Sequence, residues 1–331
     1  MKTEIMKITG ESLALAKNIM LNHGIVAFPT ETVYGLGAIA TDPVAVNKIY
    51  EVKGRPGDNP LIAHVHKDYD ITKLVKINES YVEKLQKAYL PGPLTMVYDS
   101  LGVVCKEATA GGDTLAIRVP SHKGAEKFLR YLNMPVVAPS ANVSKHVSPV
   151  TAEQVYNDLN GKISLILDGG RCGVGIESTV LDVTASVPRI LRPGFVTKED
   201  IEKVVGACEI AAHKEGDRVR SPGVKYKHYS PNCKTALFSD KQLNEILAAY
   251  EQAEKEGKTP YVLCEQKVAD ALGVKNVLNL GKTPEKMAKN LYNLLLDGEK
   301  KADLIIGVEP SDKSGILLGV VNRLSKACRS D

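Results

Sequence analysis

The chain of 331 residues has a formal net charge of +4, with 44% hydrophobic and 25% charged residues. This composition is typical of a soluble globular protein with one large or two ordinary domains and a substantial core. The mild positive charge permits a nucleic-acid partner but does not require one, because a dedicated nucleic-acid binder usually carries a denser basic stripe.

The six cysteines, at positions 105, 172, 208, 233, 264 and 328, form no C-x-x-C pair. This scatter favours reduced thiols in a cytosol over a disulfide framework or a structural zinc site. No N-terminal apolar stretch resembles a signal peptide, and no run approaches the length of a membrane span. We therefore expect a cytoplasmic protein without a membrane partner.

Helices and strands do not alternate strictly in the first two hundred residues, which predicts a mixed sheet rather than a purely parallel one. A helix over 11–22 stops before Gly24, and Thr41-Asp42-Pro43 predicts the cap of a helix that ends at Gly54. A Thr151-x-x-Gln154 capping box is predicted to open another helix. The predicted strands cover 25–28, 61–65, 94–98, 115–119, 135–138, 163–167 and 178–183, and the other predicted helices cover 79–89, 123–132, 151–159 and 198–205.

The pattern changes after residue 206, which we take as the end of an N-terminal domain over 1–206. Residues 207–233 are polar, basic and bent by two Ser-Pro steps, which predicts a linker or a functional loop. The remainder, 234–331, alternates strands and helices and predicts a small Rossmann-like parallel α/β domain. Its predicted strands cover 235–238, 260–264, 276–279 and 303–307, and its predicted helices cover 241–256, 267–272, 284–297 and 315–328.

Two short segments predict a site that handles phosphate. Lys53 and Arg55 lie in a segment bent by glycine and proline, where we expect a stiff turn that a regular helix does not absorb. Two cations on such a turn are suited to phosphate or carboxylate oxygens. Ser140 and Asn142 follow the apolar run 135–138 and offer a hydroxyl and an amide where that strand should end. Ligands of open α/β sheets collect at such strand ends.

The segment Gly35–Ala40 has the letters of a dinucleotide-binding fingerprint, but its spacing is wrong. Six residues separate it from the preceding strand, and its helix cap comes only at Thr41-Asp42. We expect these glycines to let the backbone pass close to a ligand, or to form a turn. The chain contains no G-x-x-x-x-G-K-[ST] sequence, so any ATP chemistry is not of the P-loop kind.

Other motifs leave alternatives open. His64 and His66 would share a strand face, but without a third ligand a functional or packed histidine is favoured over a metal site. Arg118 is either a solvated edge residue or a clamp for a substrate carboxylate. The glycine-rich segment Gly169–Thr179 is either an anion cradle or a hairpin connection, and Arg192 adds a cation at a strand end. This surplus of cations and hydroxyls over general bases favours phosphoryl or nucleotidyl transfer.

The chain resembles the threonylcarbamoyl-AMP synthase family of the YrdC/TsaC type, in its long two-domain form. The resemblance spans residues 28 to 231 and includes Lys53-x-Arg55 with Ser140-x-Asn142. The other motifs that carry it are Phe28–Gly37, Asn59-Pro60-Leu61-Ile62-x-His64, Glu177-Ser178-Thr179-Val180, Leu191-Arg192-Pro193-Gly194, Ser221-Pro222-Gly223 and His228-Tyr229-Ser230-Pro231. It implies a YrdC-like twisted mixed sheet with helices around a basic concave cavity, followed by the Rossmann-like domain.

The resemblance implies a nucleotidyltransferase that makes L-threonylcarbamoyl-adenylate from L-threonine, bicarbonate and ATP and releases pyrophosphate. A separate transferase complex would then modify N6 of adenosine 37 in tRNAs that read ANN codons. The implied cofactor is Mg²⁺ carried by ATP, with no metal held by protein side chains and no organic cofactor. Residues 207–233 would close over the cavity as a lid.

Each implied role falls on particular residues of this sequence. L-threonine would be bound by Thr32, His64, Arg118, Ala138 and Ser178. ATP would be bound by Arg55, Asn59, Thr114, Ser140, Ser148, Arg192 and Tyr229. The catalytic group would be Lys53, Arg55, Ser140 and Asn142.

Two other functions remain open at this level. One is a module that binds double-stranded RNA or tRNA through a basic concave face, without forming an adenylate. The other is a carbamoyl-adenylate enzyme with a different acceptor. The last hundred residues carry no phosphate fingerprint, so we expect them to be structural or regulatory rather than catalytic.

Overall fold

A computed structural model of the chain describes residues 2–212 and 229–328. Most of the predicted lid over 207–233, including the Ser221-Pro222-Gly223 motif and His228, lies outside these residues. Across the described part of the chain, helices of sufficient length and apolar character to cross a bilayer are absent.

Within residues 2–212, twelve strands form one mixed sheet, as the irregular alternation predicted. Its order is β1-β9-β2-β3-β8-β4-β7-β6-β10-β11-β12, with β5 paired to β6. The strands are β1 (Glu4–Lys7), β2 (Val26–Phe28), β3 (Gly35–Ile39), β4 (Ile62–His64), β5 (Val75–Lys76), β6 (Leu94–Ser100), β7 (Thr114–Arg118), β8 (Val136–Val137), β9 (Leu165–Asp168), β10 (Thr179–Asp182), β11 (Arg189–Arg192) and β12 (Glu209–Ile210). Parallel pairs such as β4–β7 stand beside antiparallel pairs such as β4–β8.

Seven α-helices accompany this sheet within the same residues: α1 (Gly10–Leu21), α2 (Pro43–Lys53), α3 (Tyr81–Tyr89), α4 (Lys106–Thr109), α5 (Lys123–Leu132), α6 (Ala152–Leu159) and α7 (Lys198–Val205). A 3₁₀ turn covers Ile71–Lys73. Helices α1 and α5 cover one sheet face, where Met20 and Phe128 pack on Phe28 and Leu165. The Thr151 side chain caps α6 as predicted, but Gln154 accepts from the backbone N–H of Val150 rather than of Thr151, so the predicted capping box is only half formed.

The C-terminal part has a parallel sheet in the order β13-β16-β14-β15, which confirms the predicted α/β alternation. Its strands are β13 (Lys234–Ser239), β14 (Pro260–Cys264), β15 (Val277–Asn279) and β16 (Leu304–Glu309), and its helices are α8 (Leu243–Lys255), α9 (Gln266–Leu272), α10 (Pro284–Gly298) and α11 (Gly315–Cys328). Val262 packs with α8 and α9, whereas Leu263 packs with α10 and α11, because neighbouring strand residues face opposite sides of a sheet. The helices therefore cover both faces.

The glycines of the rejected fingerprint lie in β3 and form no turn, which corrects the expectation for Gly35–Ala40. A Cβ on Gly37 would stand 2.8 Å from Cγ1 of Val136 and 3.0 Å from Cε1 of Phe28. Both neighbours are fully buried. Gly37 is therefore a packing requirement between β2 and β8, whereas Gly35 lies in the wall of the cavity described below.

Substituting Gly37 with alanine is expected to lower the free energy of unfolding by about 1–3 kcal/mol, because the added methyl group overpacks a closed core. Chemical denaturation of the purified variant measures the change. Gly10 is the matched control, since a Cβ at that position meets nothing within 4 Å. Gly10→Ala should be neutral or slightly stabilising. Equal stability of the two variants would contradict the packing argument.

Candidate active site

A cavity of about 680 Å³, including its open mouth, lies over the carboxyl ends of several strands of the large sheet. Eleven of the residues predicted to form a site line it: Thr32, Arg55, His64, Arg118, Ala138, Ser140, Asn142, Ser148, Ser178, Arg192 and Tyr229. Lys53, Asn59 and Thr114 are not among its lining residues. The sequence motifs thus converge on one space, although they are spread over nearly two hundred positions.

The sheet register produces this convergence. His64 and Arg118 are the last residues of the parallel strands β4 and β7, and they stand side by side in the register. Ala138 and Ser140 follow β8, and Ser178 immediately precedes β10. Thr95 of β6 pairs with Arg118 and with Val180 of β10, and Val180 pairs with Arg192, so Ser178 and Arg192 lie at the Arg118 end of the sheet. Strand β8 runs antiparallel to β4, and the Ala138 N–H donates to the Ile62 carbonyl, so Ala138 and Ser140 reach the cavity from the other end of β4.

Arg118 is buried and is not a solvated edge residue. Its side chain is 4% exposed, and its Nη2 lies 2.8 Å from Oε1 of Glu31. Its Nη1 donates to Oγ1 of Thr32 at 2.7 Å, and the Thr32 hydroxyl also contacts that of Thr30 at 2.9 Å. The ion pair fixes the guanidinium against the cavity wall, where it can meet a small carboxylate.

His64 is a neutral part of the wall. Burial, followed by the charge of Arg118, lowers the pKa of His64 to about 3. Its Nδ1 donates to the Ile62 carbonyl at 3.0 Å. The two histidines have different surroundings, because the Nε2 of His66 lies 2.9 Å from Oδ1 of Asn133. A ring with so low a pKa can form hydrogen bonds but is a poor base for an ammonium proton at neutral pH.

Lys53 corrects the expectation of two cations on a turn. It is the last residue of α2, a helix that begins at the Asp42 cap and ends at Gly54 with φ 60°. Its side chain is 2% exposed, and its Nζ donates to the Ser140 carbonyl at 2.6 Å and to the Asn142 carbonyl. Burial, followed by the charge of Arg55, lowers the pKa of Lys53 well below its usual value. Lys53 therefore ties the 140–142 loop to α2 from behind the cavity.

Arg55 does lie beyond the helix, on the turn that the sequence predicted. Its Nη2 makes long contacts of 3.4 Å with the carbonyls of Asn59 and Pro60, and its buried Nε has no hydrogen-bond partner among the described residues. Burial lowers its pKa to about 10, so it stays charged at neutral pH. Arg55 thus has donor capacity left for an anion.

The other two predicted ATP residues outside the lining differ from each other. Asn59 is 1% exposed, and both polar atoms of its side chain lack a hydrogen-bond partner within the described ranges. Thr114 begins β7 and pairs with Asp99, at the opposite end of that strand from Arg118. Thr114 is not among the described lining residues, and its contact with ATP stays a prediction.

Arg192 and Ser178 form the remaining basic wall. Arg192 ends β11, is 5% exposed, and its Nη2 donates to the Ser178 carbonyl at 2.9 Å. The Ser178 hydroxyl lies 2.7 Å from that of Thr95 on β6. Burial, followed by the charge of Arg323, lowers the pKa of Arg192. The strand-end cation is thus held within the cavity wall.

Three residues of the site network were not assigned a role from the sequence: Glu177, Tyr292 and Arg323. Glu177 lines the cavity; its Oε2 accepts from the Tyr292 hydroxyl at 2.7 Å and from Nε of Arg323 at 3.1 Å. Ser148 donates to its Oε1 at 2.7 Å. The signal in the sequence was an arginine within the apolar helix pattern of 315–328.

Tyr229 connects the end of the linker to the C-terminal part. It is 5% exposed, and its ring stacks on that of Tyr292 with a centroid distance of 5.3 Å. The following residue, Ser230, donates its N–H to the Lys145 carbonyl at 2.9 Å. Tyr229 lines the cavity, and the fully buried Tyr292 supports its ring.

The glycine-rich segment 169–179 binds neighbouring backbone through two of its amide groups. The N–H groups of Val174 and Gly175 donate to the carbonyls of Glu31 and Thr32. Gly175 has φ 86°, and a Cβ there would clash with the backbone of Lys289 in α10. These two amides therefore hold the 31–32 segment, and Gly175 allows α10 to pack closely.

His146 gives the protein a predicted pH dependence. Its Nδ1 lies 2.9 Å from Asp158, and its Nε2 lies 3.0 Å from Glu299 of the C-terminal part. Burial opposes the charge, but the two carboxylates outweigh it and raise the pKa of His146 to about 9. A raised pKa stabilises the fold fully below the unfolded value near 6.5, and this contribution is lost as pH rises through 9.

Between pH 6.5 and 9 we therefore expect the free energy of unfolding to fall by about 1–3 kcal/mol through this group. Urea denaturation at both pH values measures it. The same titration of His146→Gln, which cannot ionise, should lack this component. Parallel pH curves for the two proteins would contradict the assignment.

The cavity offers little to a metal ion by itself. Glu177 is the one carboxylate among the described lining residues, and Arg323, Tyr292 and Ser148 already engage it. Mg²⁺ prefers oxygen ligands and is commonly bound through substrate phosphates. The donor set therefore fits a cation that arrives with a nucleotide better than one held by side chains.

Two family models match the chain. One, described as Telomere recombination, matches residues 18–194, and the other, described as Threonylcarbamoyl-AMP synthase, C-terminal domain, matches residues 196–328. Together they cover all the described lining residues of the cavity and every strand of the two sheets except β1.

The chain is similar over nearly its whole length to relatives of similar length. The threonylcarbamoyl-AMP synthase of Pyrococcus abyssi is 40% identical over 326 residues, covering 95% of this chain and 93% of the relative. That of Bacillus subtilis is 39% identical over 336 residues, covering 98% and 95%. The crystal structure of P. abyssi Sua5 complexed with L-threonine superposes with a TM-score of 0.89 at 38% identity, covering 98% of this chain and 96% of that one.

Proposed function

The chain belongs to the threonylcarbamoyl-AMP synthase family, and on that premise we infer that it joins L-threonine, bicarbonate and ATP into L-threonylcarbamoyl-adenylate, with release of pyrophosphate. The observation that carries this inference is one cavity whose lining includes three buried arginines: Arg118, which is paired with Glu31, together with Arg55 and Arg192. Arg118 is suited to a carboxylate, and Arg55 and Arg192 are suited to phosphate oxygens. A small amino acid and a triphosphate can therefore lie side by side.

We assign the amino-acid subsite to Thr32, His64, Arg118, Ala138 and Ser178. The Arg118 guanidinium, held by Glu31, would bind the threonine carboxylate, and the neutral His64 ring would meet its polar groups. The solved P. abyssi Sua5 contains L-threonine, which supports a site of this kind. The amine of threonine would then point towards the centre of the cavity.

We assign the nucleotide subsite to Arg55, Ser140, Asn142, Ser148, Arg192 and Tyr229, with Asn59 beside them. Tyr229 and Tyr292 form a stacked pair that suits a planar base. Arg55 and Arg192 would neutralise phosphate oxygens. Lys53 would act as a positioning residue, because its ammonium is committed to the loop that carries Ser140 and Asn142.

The chemistry then proceeds by positioning and charge neutralisation. The threonine nitrogen adds to the carbon of bicarbonate-derived CO₂ and loses a proton, which gives a carbamate. A carbamate oxygen attacks the α-phosphorus of ATP in line, and the bond to the leaving pyrophosphate breaks. Mg²⁺ bound to the phosphates would supply further charge neutralisation. No covalent bond to the protein is required.

Release of pyrophosphate by purified, RNA-free protein tests the proposal. We expect release to require ATP, bicarbonate and L-threonine together, with a background rate when threonine is omitted, and serine serves as the comparison amino acid. The product would pass to a separate transferase that modifies adenosine 37 of tRNA. Absence of threonine-dependent release, together with RNA affinity that falls steeply with salt, would favour the RNA-binding alternative instead.

A further inference from the structure

We propose that Arg323, in the C-terminal helix α11, is a positioning residue that holds Glu177 as its counter-ion and thereby keeps Glu177 from drawing Arg192 away from the triphosphate. This inference rests on the proposed use of ATP. It gives the C-terminal part a task in substrate binding, although none of its residues from 234 onwards is among the described lining residues of the cavity.

The contacts of Arg323 span the two segments that carry the basic wall. Its side chain is fully buried, its Nε lies 3.1 Å from Oε2 of Glu177, and its Nη1 donates to the Pro193 carbonyl. Glu177 is adjacent to Ser178, and Pro193 is adjacent to Arg192. One guanidinium thus ties the start of β10 to the end of β11.

The close packing of α11 brings Arg323 within contact distance of Glu177 and Pro193. A Cβ on Gly319 would stand 3.1 Å from the Gly194 carbonyl oxygen and 3.2 Å from Cδ1 of Ile176. The helix therefore approaches the 193–194 segment at backbone distance. Buried residues of α10 and α11 also share one hydrophobic cluster with Ile176 and Tyr229, so Arg323 is presented by a rigid surface.

The charge balance explains why a counter-ion matters here. Glu177 is the single carboxylate among the described lining residues, and Arg192 is close enough for its charge to act on it. A buried carboxylate without a partner attracts the nearest cation strongly, because the surroundings screen the charges weakly. With Arg323, Tyr292 and Ser148 around Glu177, Arg192 instead donates to Ser178 and faces the cavity.

The protonation state of Glu177 agrees with this arrangement. Burial favours the neutral acid, but the charge of Arg323, followed by that of Arg192, more than offsets burial and lowers the pKa to about 2. Glu177 is therefore an anion at neutral pH and requires a cation. Removal of Arg323 leaves Arg192 as the cation that can satisfy it.

Direct titration of ATP and of L-threonine, each by calorimetry, tests the proposal on full-length variants. Arg323→Met removes the charge and keeps an apolar side chain of similar length. We expect its ATP dissociation constant to rise by at least about tenfold, the equivalent of one charge-assisted hydrogen bond, with threonine affinity within about threefold of the parent protein. Adding Glu177→Gln should restore ATP affinity, because the competing anion is then gone.

Two results would overturn the proposal: equal weakening of both ligands by Arg323→Met, or failure of Glu177→Gln to restore ATP affinity. Should Arg323→Met not fold, the double variant, which buries no unpaired charge, is compared directly with Arg323→Lys and the parent protein. The double variant should then bind ATP about as the parent does, and an ATP affinity more than about tenfold weaker than the parent's would overturn the proposal.

Lys313→Met is the matched control, since it removes a cation of the same domain from an exposed pair with Glu309. It should bind both ligands as the parent protein does. These binding measurements do not depend on turnover. A parent protein that binds ATP but releases no pyrophosphate would refute the proposed reaction, and the comparison of ATP affinities would still decide the role of Arg323.

Discussion

Replacing Arg55 with alanine is expected to lower the rate of threonine-dependent pyrophosphate release by about 100- to 1,000-fold, the range found when one preorganised donor to developing charge is removed. Arg55 is charged at neutral pH, and its buried Nε has no hydrogen-bond partner in the described part of the chain. Its donors are therefore available to the phosphates, where negative charge moves towards the leaving pyrophosphate. Initial rates at saturating threonine and varied ATP measure the loss.

The stability of Arg55→Ala should change little, because the protein contacts of Arg55 are two long ones of 3.4 Å. Arg189→Ala is the control: Arg189 lies on β11 in a half-exposed pair with Glu209 and faces away from the candidate site. Its turnover should match that of the parent protein. Near-normal turnover of Arg55→Ala would mean that the phosphates bind elsewhere.

Replacing Arg118 with alanine is expected to raise the dissociation constant of L-threonine by at least about 30-fold, since truncation of one partner of a buried charge pair costs about 2–5 kcal/mol. The substitution removes the guanidinium that would bind the threonine carboxylate. It also removes the ion-pair partner of Glu31, whose Oε1 lies 2.8 Å from Nη2 of Arg118. The free energy of unfolding should therefore fall as well, by about 3–5 kcal/mol. Calorimetric titration of threonine and chemical denaturation measure the two effects separately.

Arg130→Ala controls for the loss of an arginine with carboxylate partners. Arg130 pairs with Asp68 and Glu126, but its side chain is 45% exposed. A surface network of this kind contributes little, so threonine affinity and stability should both remain near the values of the parent protein. If Arg118→Ala bound threonine normally, the amino-acid subsite would have to be sought elsewhere in the cavity.

The positions of most helices and strands could be predicted, because the residues that define them lie close together in the sequence. The Asp42 side chain accepts from the N–H groups of Val44 and Ala45, Pro43 follows the cap, and Gly54 ends the helix with a left-handed backbone. The same holds for Thr283 and Pro284 at the start of α10. Strand β3 was not predicted, because two glycines close together are typical of a turn. In the structure Phe28 and Val136 pack against Gly37, which leaves no room for a side chain.

The sequence predicted which residues form the candidate site better than it predicted what each residue does there. Eleven of the fourteen predicted residues line one cavity, which agrees with motifs that each lie at a strand end or on a turn. Lys53 was misjudged, because a sequence shows a lysine near a glycine but not the carbonyls of Ser140 and Asn142, nearly ninety residues away. Thr114 starts its strand, so it lies at the far end from Arg118.

The sequence by itself determined the order and type of most elements and the α/β character of both parts, because these depend on contacts within a few residues. Only the tertiary structure decided which cations face the cavity and which form their contacts with other groups of the protein. The pair of Glu177 and Arg323 joins residues 146 positions apart. Such a pairing depends on how two sheets pack, and no local pattern encodes that distance.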